Sequence, residues 1–122
     1  MTINELCKKC HQAAIDSGFW ELEDIKEIGS KIVSLRRIVP RNKGELLMLI
    51  VSELGEALEA LRKNNIQKPN EEWRKDTYSD EIADVAIRLF DLCGAENIDL
   101  EWQISKKMSY NKTRPKKHGK EF

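Results

Sequence analysis

The chain has 122 residues, about a third of them charged and few aromatic, with a formal net charge of zero. That length holds one domain with one core, and the balance of apolar and charged residues excludes a disordered tail. A neutral chain offers no overall field to nucleic acid or to an anionic membrane, so neither is an expected partner.

The charge is unevenly placed. From Lys106 to Lys120 every charged side chain is basic, His118 aside, and the carboxylates lie earlier. The opening residues Met-Thr-Ile-Asn-Glu contain no apolar segment of the signal-peptide type. The longest apolar run, Leu46 to Val51, is too short to span a bilayer. An odd number of cysteines (Cys7, Cys10 and Cys93) without an export signal points to free thiols in a reducing compartment, and a cytoplasmic location is expected.

Residues 2 to 17 read as an amphipathic helix stopped by Gly18. Its stripe is Ile3, Leu6, Cys7, Cys10 and Ala14, which makes the Cys-x-x-Cys pair structural: no strand precedes it for a redox motif, and no second ligand pair follows at zinc spacing. Residues 23 to 38 read as a weaker helix, interrupted by Gly29 and closed by Pro40. Pro-Arg-Asn-Lys-Gly (40 to 44) is turn chemistry. Residues 45 to 63 carry the strongest helical periodicity. A linker at 66 to 71 leads to a helix from about Glu72 to Cys93. A last helix, capped by Asn97 or Asp99, runs from about 98 to 112 and ends before Pro115. The expected fold is all-α, a bundle of about four to five helices in one domain spanning 1 to 122, with a basic tail from about 113.

The carboxylates of the two long helices stand where packing alone would not put them. At about 100° per residue, Glu53 lies inside an apolar arc formed by Leu46, Leu49, Ile50, Leu54, Ala57, Ala60 and Leu61, and Glu56 lies at its edge. On the next helix Ile82, Val85, Ala86, Leu89, Leu92 and Cys93 define the apolar face. Glu81 sits beside Val85 and Leu92, with Asp84 one step further round and Arg88 placed to balance the two acids. An unpaired buried carboxylate costs several kcal/mol or takes up a proton. Two acid-x-x-acid pairs on antiparallel helices bring four carboxylates together, and that many anions need a cation. Oxygen ligands without His or Cys favour Mg²⁺, with Mn²⁺ and Ca²⁺ as the other hard cations. A di-iron centre would need Glu-x-x-His on two helices, which this chain lacks.

The last predicted helix aligns Leu100, Ile104, Lys107, Asn111 and Arg114 on one stripe. Lys107, Asn111 and Arg114 are therefore candidate phosphate ligands, set against a carboxylate–cation cluster on the other flank of a polyphosphate. Trp20, after a helix end, has an aromatic face that could stack on a base or fill the core, and His11 is a lone polar ring on a mostly apolar helix.

Leu-Leu-Met-Leu-Ile-Val-Ser-Glu-Leu-Gly-Glu-Ala-Leu-Glu-Ala-Leu-Arg (46 to 62), followed by Asp-Glu-Ile-Ala-Asp-Val-Ala-Ile-Arg-Leu (80 to 89), resembles the MazG-like nucleotide pyrophosphohydrolases, an all-α group related to dimeric dUTPases. The family signature is E-E-x-x-E, a gap, then E-x-x-D. It falls on Glu53, Glu56, Glu81 and Asp84, with Ser52 in place of the first Glu. Gly-Phe-Trp (18 to 20) and the tail from Lys107 to Phe122 are also similar to the short members, whereas 21 to 39 matches least. The resemblance implies Mg²⁺-dependent hydrolysis of a nucleoside triphosphate, in particular a deoxynucleoside triphosphate, to monophosphate and pyrophosphate. Glu53 or Glu56 would act as base, and His11 and Trp20 would line a base pocket. It also implies a homodimer or homotetramer, in agreement with Ala83, Ile87 and Phe90, which make the helix at 72 to 93 apolar on its far side too. Two other classes stand beside this one: a non-catalytic helical module that binds a nucleotide or protein, and a bundle that holds a metal for stability alone.

Overall fold

The computed structural model describes residues 1–29 and 31–121. Among them are four helices and one hairpin. α1 spans Ile3–Asp16, β1 Leu22–Ile28, β2 Lys31–Ile38, α2 Lys43–Arg62, α3 Tyr78–Ala95 and α4 Leu100–Lys112. No helix among the described residues is long and apolar enough to cross a membrane.

Local chemistry sets most of the boundaries. Thr2 and Glu5 form a capping box at the start of α1, each side chain bonding the other's backbone N–H. Gly18, at φ +84, ends the helix. Asn42 caps α2, Thr77 caps α3 and Asp99 caps α4, each accepting from the backbone N–H three residues on. α3 starts at Tyr78, six residues later than its periodicity predicts. The chain before it is a loop held by Arg74, which donates to Asn65 Oδ1, the Ile66 carbonyl and Glu71. Asn64, Asn70 and Asp76 take left-handed conformations there, which a helix does not accommodate.

The helix expected at 23 to 38 is instead the antiparallel hairpin β1–β2. Its residues are rich in Ile and Val, and Gly29 turns the chain at φ +63 between the paired Ile28 and Lys31. The charge order fits this pairing: Glu23 lies opposite Arg37 and Asp24 opposite Arg36, and both pairs form ion pairs. Such exposed cross-strand pairs stabilise by about 0.2–1 kcal/mol each. They settle register more than stability.

α3 is the central element. α1 packs on one side of it and α2 on the other, both antiparallel to it. Cys7 and His11 of α1 meet Gly94 and Asp91, and Glu53 and Lys43 of α2 meet Arg88 and Glu96. The Cys7 and Cys93 thiols are buried where α1 crosses α3 and hydrogen-bond each other, and burial pushes both above the usual thiol range. The Cys-x-x-Cys residues thus pack, with Cys10 half-buried at a cavity wall.

The crossing is close enough to require glycine. A Cβ on Gly94 would lie 2.6 Å from the Cys7 carbonyl oxygen and 2.7 Å from His11 Cβ. Backbone cannot yield there without separating the helices, so Gly94→Ala is expected to cost about 3 kcal/mol, the upper part of the overpacking range. Urea unfolding measures this. A loss below about 0.5 kcal/mol, the ordinary surface value, would show that the crossing is not tightly constrained.

The layer leaves much apolar surface uncovered. Leu54 and Leu61, predicted to pack, are about half exposed, and so are Leu47, Val51 and Leu58. On α3, Ile82 and Leu89 are also exposed, because α1 and α2 cover only the flanks that carry Glu81, Leu92 and Cys93.

Candidate metal centre and adjoining cavity

Glu53 comes from the middle of α2, and Glu81 and Asp84 come from the first two turns of α3. Antiparallel packing brings the three together, and one carboxylate oxygen from each lies within 4.8 Å of the others. Glu81 is 7% exposed. Glu56, the fourth predicted ligand, is exposed one turn along α2, outside this set. Ser52, at the signature's first position, donates its hydroxyl back to the Leu49 carbonyl at 2.7 Å and takes no part.

Arg88 is the cation beside the cluster. Rather than bridging Glu81 and Asp84 along its own helix, it reaches across to α2 and donates from Nε to Glu53 Oε1 at 2.7 Å. This charge-assisted bond leaves the other two acids undercompensated. Burial, then the neighbouring Asp84, Asp76, Glu53 and Glu56, holds the Glu81 carboxyl above the usual carboxylate range. Burial, then Glu53 and Asp80, does the same to Asp84, with Arg88 opposing.

The consequence for stability has a definite sign. In the unfolded chain these carboxyls titrate at their ordinary values, near 4. Between those values and the raised ones the folded chain holds more protons, so stability falls as pH rises through that window. A cation bound to the ionised acids would reverse the loss. Added Mg²⁺ is therefore expected to raise the melting temperature at about pH 8 and to do less at about pH 4.5, because the raised Glu81 and Asp84 carboxyls gain protons as the pH falls. Calorimetry with and without Mg²⁺ checks this, and equal melting curves at both pH values would exclude the cluster as a Mg²⁺ site. The donor set suits such an ion, being all oxygen, anionic and convergent.

A cavity of about 350 Å³ opens beside the acids, within the range of small-ligand sites. Glu53 and Asp84 form one end of its wall. Arg88 lies between, Asp91 and Arg41 lie further along, and Ala13, Ala14, Leu46 and Leu49 supply apolar surface. Asp91 was not among the residues singled out from the sequence, yet it is the most hydrogen-bonded acid of the cavity. His11 Nδ1 lies 2.7 Å from its Oδ1, and Trp20 Nε1 donates to both of its oxygens at 3.0 and 3.1 Å. His11 and Trp20 themselves stand edge to face, 5.1 Å apart. Trp20 is 6% exposed and carries the Arg41 guanidinium over its ring at 5.3 Å. Neither predicted base-pocket residue lines the cavity: both sit behind Asp91 and hold it. The sequence signal for Asp91 was its position two turns after Asp84 on the same helix.

Lys107, Asn111 and Arg114 are not brought to the acids. α4 is tied to the body at its first turn, where Asn4 bonds Asp99 and Glu101, and every residue from Trp102 to Tyr110 is exposed. The Lys107 and Arg114 side chains lie over the Tyr110 ring, and Asn111 Oδ1 is buried without a hydrogen-bond partner among the described residues.

No protein-family model matches the chain, and no curated protein and no solved structure matches it.

Proposed function

We propose that this protein hydrolyses a nucleoside triphosphate, in particular a deoxynucleoside triphosphate, to monophosphate and pyrophosphate. The observation that carries the reading is one arrangement: three convergent carboxylates, two of them in the wall of a largely apolar cavity, with a half-buried hydrogen-bonding acid further along it. The resemblance of the two acidic motifs to those of the MazG-like pyrophosphohydrolases points the same way.

Glu53, Glu81 and Asp84 would hold Mg²⁺, or Mn²⁺ in its place. The bound ion would supply Lewis-acid stabilisation of phosphate oxygens. Water attacks the α-phosphorus, the bond from that phosphorus to the oxygen bridging the β-phosphate breaks, and pyrophosphate leaves. Glu56 stands one turn from Glu53 and outside the ligand set, which leaves it able to take the proton from water. Arg88, at the cavity wall between the acids and Asp91, offers guanidinium N–H groups to a phosphate. Asp91, whose carboxylate is oriented by His11 and Trp20, accepts from an N–H on the base. It lies seven residues, about 10 Å, along α3 from Asp84. That separation is of the order of the distance from phosphate to base in a nucleotide.

The expected assembly is a homodimer or homotetramer. The chain exposes 9809 Å², against about 6,800 Å² for a monomeric globular protein of its mass.

A product assay tests the reading. Purified protein with Mg²⁺ and a panel of canonical and modified triphosphates should release monophosphate and pyrophosphate. Diphosphate and orthophosphate would place the cut at a different phosphorus. Nucleotide binding without products would turn the reading into a binding module, and Mg²⁺-dependent stability with neither would leave a structural metal site.

A further inference from the structure

We propose that α4 and the segment after it bind single-stranded nucleic acid, with bases stacking on Trp102 and Tyr110 and phosphates pairing with Lys106 and Arg114. The charge of this segment sets it apart from the rest of the chain. Residues 102 to 120 hold seven of the 21 Lys and Arg and none of the 21 Asp and Glu. The zero net charge, which gave no reason to expect a polyanion, therefore averages over two regions of opposite sign. Among the described residues, none of the seven cations forms an ion pair with a carboxylate. α4 is held at its first turn, and every residue from Trp102 to Tyr110 is exposed. A local field of this kind, rather than the net charge, draws in a phosphate backbone.

The pattern of side chains points to the kind of polyanion. Trp102, Lys106 and Tyr110 recur every four residues, which aligns them along one side of α4. Arg114, two residues past the helix, returns to the same side. The Lys106 ammonium lies 5.8 Å from the centre of the Trp102 ring, and the Arg114 guanidinium 5.5 Å from that of Tyr110. The two residues remain 52% and 56% exposed. Ring and cation thus alternate over about 18 Å.

A single strand matches this alternation, because each nucleotide brings a base face and a phosphate. A duplex keeps its base faces in the stack, so it could use the cations but not the rings. A membrane surface fits less well. The exposed aliphatic side chains of α4, Ile104 and Met108, stand about 120–160° round the helix from both rings. The helix therefore has no single apolar face to enter a bilayer.

The anisotropy of a labelled oligothymidylate of about 20 nucleotides, a length that covers several base stacks, titrated with the full chain, tests the proposal. The wild type is expected to bind it more tightly than a duplex of equal length, with an affinity that falls as salt rises. Trp102→Ala/Tyr110→Ala should weaken binding by at least about tenfold, through the loss of two stacking platforms, and leave the salt dependence as it was. Lys106→Ala/Arg114→Ala should lower the salt slope by about 1.4, two phosphates at about 0.7 each. Trp102→Phe/Tyr110→Phe keeps a ring at both positions and should bind as the wild type does, which separates lost stacking from a lost helix. Absence of binding by the wild type would overturn the proposal. So would unchanged binding by the double alanine variant of the rings, or a preference for duplex, since either leaves charge attraction without a stacking site. The assay reads binding without turnover, so its failure and that of the triphosphate reading are distinguishable.

Discussion

Glu53→Gln is expected to lower triphosphate turnover by about 10²–10⁴-fold, on the scale of removing a catalytic acid or base, while the fold survives. Three features set this expectation. Glu53 contributes an oxygen to the three-carboxylate cluster, it lines the cavity, and it receives Arg88 at 2.7 Å. The amide has the same shape and can still accept from Arg88, but it brings no charge to a cation. The metal-free variant should not melt earlier by much, because the charge of Glu53 is among the causes that raise the Glu81 and Asp84 carboxyls. Removing it relieves like-charge crowding and offsets the weaker bond to Arg88. The Mg²⁺-induced rise in melting temperature should shrink with the activity. Turnover and calorimetry on one preparation check both, and near-normal turnover would remove Glu53 from the metal centre.

Asp91→Ala is expected to be the more damaging change to stability, by about 3 kcal/mol, the upper end of the cost of leaving a buried donor without its acceptor. Trp20 Nε1 would lose both of its acceptors in a ring 6% exposed, and His11 would lose its carboxylate partner. Asp91→Asn keeps one acceptor oxygen and should cost less stability. It also turns an anionic acceptor at the cavity wall into a mixed donor and acceptor, so the order of preference among bases should change more than the response to Mg²⁺. Denaturant unfolding measures the first effect, and a nucleotide panel measures the second. An unchanged base profile in a folded Asp91→Asn protein would make the His11–Asp91–Trp20 network purely structural.

What the sequence determined by itself is the part governed by short-range physics. Helical periodicity placed α1, α2 and α4 within a few residues, because a 3.6-residue repeat of apolar side chains is written locally. The position of Glu53 in mid-stripe, and of Glu81 beside Val85 and Leu92, was enough to single out acids that packing does not explain, and three of the four converge. The hairpin was missed because its apolar residues also satisfy a helical spacing. The opposing acid and base runs around Gly29 have meaning only once the strands pair. The late start of α3 depends on Arg74 closing a loop onto Asn65 and Ile66, contacts nine and eight residues back. Tertiary structure alone decided three further things: the crossing at Gly94, the turn of Arg88 toward Glu53 in place of its own helix, and the role of His11 and Trp20 behind Asp91. It also separated Lys107, Asn111 and Arg114 from the acids that their helical stripe alone set them against. A wheel fixes which side of a helix a residue is on, but only the packing of α1, α2 and α3 decides which way that side points.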